Sequence, residues 1–141
     1  MKRILVGVDG SKESRDAAVY AAELARTMGS QLIVASIAYM PAALGAPELM
    51  ESAAQWQHEE NEHAAAIAQE VSAAIGGPGR TTETMVASGP PAEKLADLAQ
   101  SGDVDLVVVG HRGRGAITRM LMGSVADRLV QICPKPVLVV R

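Results

Sequence analysis

The chain has 141 residues, 48% of them hydrophobic and only 2% aromatic, with no Phe, so it suits one domain whose core is built from Ala, Val, Leu, Ile and Met. A formal net charge of −3 argues against a nucleic-acid partner, which normally needs a basic face. One cysteine, Cys133, excludes an internal disulfide and fits a reducing compartment.

Ile4 to Val8 reads as a buried first strand, too short for the apolar core of a signal peptide although Met1-Lys2-Arg3 precedes it. It ends in Asp9-Gly10-Ser11. Ser11 is the expected N-cap of a first helix, with Glu13 favourable to the dipole in its first turn. Ala17, Ala21, Leu24 and Met28 recur at helical spacing, and Gly29 stands where a helix-ending glycine belongs. Leu32 to Ile37 is the second strand. Tyr39 to Pro47, with two prolines and a glycine, is a loop.

Glu48 to Ile75 is a long helical pattern with Leu49, Ala53, Trp56, His63, Ile67, Val71 and Ala74 as its inner stripe; Gly76-Gly77-Pro78-Gly79 stops it. Thr81 to Ala87 is the third strand, and Pro91 to Gln100 a short helix halted by Gly102. The run opening at Val104 is the near-continuous apolar pattern of a strand buried on both faces. Val125 to Ile132 is the last helix, with Ser124 able to cap it. Val137 to Val140 is the fifth strand. Strands alternating with helices in this way give one parallel sheet with right-handed crossovers. No apolar run approaches the ~20 residues of a membrane span, and the expected location is the cytoplasm.

The chemistry concentrates between the fourth strand and the last helix. Glycines let backbone approach a ligand closely. The first N–H groups of a helix lack intrahelical partners and carry partial positive charge. Arg112, Arg114 and Arg119 add full charges there, so the stretch reads as a phosphate cradle. A Walker A loop is excluded because Ala116-Ile117 follow Gly110 and Gly115 where Lys and Ser or Thr are needed. A dinucleotide fingerprint belongs in the first strand–helix turn, and this is the fourth. His58 and His63 are five residues apart, which misses the zinc-protease spacing, and that run reads as a solvated helix face. Cys133 reads as a packed thiol.

The spacing Gly110, two residues, Gly113, nine residues, Gly123, then Ser124 resembles the nucleotide-binding signature of the universal stress protein family. So do the opening Arg3-Ile4-Leu5-Val6-Gly7-Val8-Asp9-Gly10-Ser11, the segment Gly89-Pro90-Pro91-Ala92-Glu93-Lys94 and the ending Pro134-Lys135-Pro136-Val137-Leu138-Val139-Val140. The resemblance implies a Rossmann-like or flavodoxin-like α/β sheet in the order 3-2-1-4-5 with helices on both faces. In that order the winding reverses between strands 1 and 4, where such folds bind ligands.

The resemblance also implies an adenine-nucleotide site, ATP in the first place, lined by Gly7, Val8, Asp9, Ile37, Val109, Gly110, His111, Arg112, Gly113, Arg114, Gly123, Ser124 and Val125. A divalent ion, Mg or Mn, is expected with the phosphates; Asp9 is its nearest side-chain candidate. From the residues alone a turn aspartate or second cap is the lesser reading of Asp9, Ile37 reads equally as ordinary core, and Gly7 also reads as a packing glycine. At His111 the family commonly has a small hydroxyl residue, which leaves its backbone N–H as the phosphate contact. The expected role is a nucleotide-responsive regulator acting through a protein partner or its own assembly. A homodimer through the last strand, Val137, Leu138, Val139 and Val140, follows from the open edge and from the resemblance. The alternatives are slow ATP hydrolysis, with His111 or Asp9 orienting water, and a structural dimer that binds no nucleotide.

Overall fold

The computed structural model describes residues 1–39, 50–77, 82–112 and 122–141. Its elements are β1 (Arg3–Val8), α1 (Lys12–Met28), β2 (Gln31–Ala38), α2 (Met50–Ile75), β3 (Thr82–Ser88), α3 (Pro91–Ser101), β4 (Leu106–Gly110), α4 (Ser124–Ile132) and β5 (Val137–Val140). The strands form one parallel sheet in the order β3-β2-β1-β4-β5, as expected.

Period-two alternation divides the core. Ile4, Val6, Val8, Leu32, Val34, Leu106 and Val108 face one way and pack on α1 and α2. Leu5, Ile33, Ala35, Val107 and Val109 face the other way, onto α3 and α4. Helices therefore cover both faces, and the central strands are apolar on both sides because neither side meets water. Small residues take the place of the missing aromatics. Ala17, Ala18, Ala21, Ala22 and Ala25 form the buried stripe of α1, which lets its backbone lie close to the sheet.

Two predicted stripes are corrected. Met28 is exposed, because α1 ends there and Gly29, at φ 65°, turns the chain away while its N–H bonds Ala25 O. In α2 the buried positions are Ala64, Ile67, Ala68, Val71 and Ile75, while His63 and Ala74 face solvent. In an Ala-rich helix the apolar stripe has no sharp edge, and a one-residue turn of 100° moves the imidazole out. Leu49, like the loop before it, lies outside the described residues. The apolar run at Val104 enters the core before the ladder begins, so β4 starts two residues later, at Leu106.

The amino-terminal end of the sheet is clasped by polar groups. Asp105 Oδ2 accepts the backbone N–H groups of Lys2 at 2.6 Å and Arg3 at 2.9 Å. These bonds, Arg3 first, hold the carboxyl below its ordinary range. The Arg3 side chain reaches Gln31, Glu83 and the Gly102 carbonyl.

Candidate functional site

The winding of the sheet reverses between β1 and β4: β2 and β3 lie on one side, β5 on the other. The carboxyl ends of β1 and β4 are thus the switch point. They bring Asp9 and the segment Gly110–Arg112 to the same end of the sheet as the amino termini of α1 and α4.

The β1 side is built by local hydrogen bonds. Ser11 caps α1 as expected, its side chain accepting the Ser14 N–H. Asp9 Oδ1 accepts the Ser11 N–H at 2.9 Å, and Ser14 Oγ accepts the Asp9 N–H while donating to Ser11 O. Asp9 therefore has the turn-forming role that its sequence position allows, and that role holds its carboxylate at the carboxyl end of β1.

The β4 side is tied to α4. Gly123 N–H donates to His111 O at 2.7 Å, which draws the two ends of the Gly-rich segment together. His111 N–H donates to Val140 O at 2.6 Å. That corrects the expectation that this N–H contacts phosphate: it continues the β4–β5 ladder. A second correction concerns the cap of α4. Gly123 is the N-cap and Ser124 is the first helical residue, with no side-chain cap bond. Gly and Ser both suit a cap, and the tie to His111 selects the glycine. The first intrahelical bond is Asp127 N–H to Gly123 O, so helix geometry leaves the N–H groups of Ser124, Val125 and Ala126 without intrahelical acceptors.

Gly110 has a structural reason to be glycine. A Cβ there would stand 2.8 Å from the backbone C and O of Glu13 and 3.1 Å from Ser14 N. The end of β4 thus lies directly against the first turn of α1. The adjacent side chain, Arg112, crosses the same contact: its Nη2 donates to Glu13 Oε1 at 3.0 Å. Both side chains are partly sheltered, 22% and 32% exposed.

Other expected site residues lie deeper. Val8 and Val109 are core side chains on opposite faces of the sheet. Gly7 sits under Leu95 of α3, whose Cδ1 would be 2.9 Å from an added Cβ. Ile37 is half-buried beside the α3–α4 core, and so is Val125. Gly113 and Arg114 lie outside the described residues, as does Arg119. Among the described residues, no group of three or more His, Cys, Asp or Glu side chains is placed to hold a metal ion.

Sequence reasoning missed two features. The sequence marks Glu13 as a dipole partner alone, and nothing local to it signals Arg112, 99 residues away. A polar cluster joins α2 to the end of β3: Gln57 Nε2 donates to Asn61 Oδ1 and Ser88 Oγ, and Ser88 Oγ donates to Asn61 Oδ1. Each residue alone reads as an ordinary surface position.

The family model described as the Universal stress protein family matches residues 1–141. A universal stress protein of Thermus aquaticus is 34% identical over 142 aligned positions, covering 99% of this chain and 98% of that protein. A solved universal stress protein from Lactobacillus plantarum superposes with a TM-score of 0.88 at 25% identity, over 99% of this chain and 97% of that one. A universal stress protein solved in complex with cAMP is 27% identical, with a TM-score of 0.63 over 99% of this chain and 96% of that one.

Proposed function

This chain belongs to the universal stress protein family, and on that premise we propose that it binds an adenine nucleotide, ATP in the first place, across the β1–β4 switch point and works as a nucleotide-responsive regulator. The observation that carries the reading is the Gly123–His111 hydrogen bond. It holds the amino terminus of α4, with its three N–H groups that lack intrahelical acceptors, against the end of β4 that carries Arg112. That donor set fits phosphate. A nucleotide-bound relative, the cAMP complex, supports the adenine class.

In this reading Ser124 and Val125 offer backbone N–H groups to the phosphates and Arg112 offers its guanidinium. Gly110, His111 and Gly123 shape the cradle that Gly113 and Arg114 complete. Asp9 meets the nucleoside, and backbone near Ile37 reads the adenine edge, with Gly7, Val8 and Val109 forming the floor. The divalent ion, Mg or Mn, arrives with the phosphates. The protein acts in the cytoplasm as a dimer through β5, on a regulatory protein partner.

Acid extraction of freshly purified protein, followed by nucleotide chromatography, tests this. The expected result is adenine nucleotide in stoichiometric amount, ATP foremost. A folded protein that carries none, and whose melting temperature no adenine nucleotide raises at millimolar concentration, overturns the reading.

A further inference from the structure

We propose that Glu13 holds Arg112 in reserve, and that nucleotide phosphate takes Arg112 from it, so that Glu13 sets how strongly the site grades its ligands by phosphate charge. The proposal rests on the nucleotide reading above and adds to it a residue outside the family's glycine signature.

Three observations carry it. First, the pair is built rather than incidental. At Gly110 the end of β4 lies close against the Glu13 backbone, which an added Cβ would approach to 2.8 Å, and Arg112 Nη2 meets Glu13 Oε1 at 3.0 Å between partly sheltered side chains. Second, Glu13 keeps a second source of stabilisation when Arg112 leaves. It lies in the first turn of α1, where the helix dipole favours a carboxylate whether or not an arginine is near. The neighbouring cation, Lys12, is already held by Asp16 at 2.7 Å. Third, two described backbone donors beside Arg112 are committed: His111 N–H to Val140 O, and Gly123 N–H to His111 O. Beside the fixed N–H groups of α4, the guanidinium is a donor that can change partner by side-chain rotation. It has five N–H groups in a fork that matches phosphate.

The exchange follows from charge. A terminal phosphate carries more negative charge than a carboxylate and offers three acceptor oxygens, so it outcompetes Glu13 for the guanidinium. The Glu13 carboxylate, released by Arg112, remains a negative charge close by and opposes the phosphates by like-charge repulsion. Both effects weaken phosphate-bearing ligands and leave adenosine untouched.

The test measures dissociation constants of ATP, AMP and adenosine by calorimetry on nucleotide-free protein, comparing wild type, Glu13→Gln, Arg112→Gln and the double variant. Glu13→Gln should tighten ATP about fivefold, the scale of a partly exposed ion pair. AMP should tighten less and adenosine stay unchanged. In the Arg112→Gln background most of that gain should vanish, because the two residues act as a pair. Melting curves confirm that each variant folds, and Glu13→Asp, which keeps charge but shortens reach, should lie between wild type and Glu13→Gln. Weaker ATP binding in Glu13→Gln, or an unchanged ratio of ATP to adenosine affinity, overturns the proposal while leaving the nucleotide site standing. Wild-type protein that binds neither ATP nor adenosine overturns both.

Discussion

The N–H of Gly123 and the carbonyl of His111 meet at 2.7 Å, and through them the amino terminus of α4 is fastened to the end of β4. The described residues that flank the Gly-rich segment are thereby joined. The position of the cradle consequently depends on how firmly α4 is seated.

Leu129 provides that seat. It is fully buried among Leu5, Val107, Ala126 and the α3 side chains. Leu129→Ala should cost about 2–5 kcal/mol from lost burial and the cavity left behind. Urea denaturation checks the magnitude. On the proposed nucleotide reading α4 supplies phosphate donors, so nucleotide affinity should fall as well.

Gly110→Ala tests the contact between β4 and α1. Its new methyl would be 2.8 Å from backbone atoms of Glu13, which have no rotamer through which to yield. Overpacking of this kind costs about 1–3 kcal/mol, and a drop in denaturation midpoint with unchanged slope should follow. A variant as stable as wild type would mean that α1 shifts freely there.

Asp105 gives a pH dependence of definite sign. Its folded carboxyl lies below the ordinary value because Arg3 and then Lys2 donate backbone N–H groups to it. Its contribution to stability is therefore fully present above the unfolded pKa of about 3.9 and is lost as pH falls through the lower folded value. Denaturation midpoints of wild type and Asp105→Asn should differ most at neutral pH and converge below about pH 3.9. A difference that grows on acidification would contradict the clasp.

Among the described residues the strand β5 lies at the edge of the sheet, paired with β4 alone, and its four residues are partly exposed. Pairing of two such edges about a two-fold axis would satisfy the outer backbone groups of both chains. Wild type should sediment as a dimer at micromolar concentration, and Val139→Pro should shift it toward monomer or insolubility. A monomeric wild type at high concentration would rule the interface out.

The strands were legible because a parallel strand covered on both faces must be apolar almost throughout, as Ile4 to Val8 and Leu106 to Val109 are. Their order came only from likeness to a family. Helix termini were legible where one residue type alone solves a backbone problem: Ser11 caps α1 and Gly29 ends it. Gly123 and Ser124 are both good caps, and a tertiary bond to His111 decided between them. The face of α2 was misjudged at His63 because small alanines on either side leave the stripe boundary undefined. The glycines of the site were legible as a pattern but not by cause, since Gly110 is pressed on Glu13, a residue distant in sequence. Long-range partners such as Glu13 for Arg112 leave no local periodicity to read.

The most direct measurement of the central claim is the thermal unfolding of nucleotide-free protein with and without ATP and magnesium. At about a hundred times the dissociation constant, ATP should add roughly 2.7 kcal/mol of stability, raising the melting temperature by several degrees for a domain of this size. GTP should raise it less, and Arg112→Gln should weaken the response to ATP about tenfold in concentration. A melting temperature that stays fixed with ATP, ADP, AMP and adenosine at millimolar concentration would contradict the account.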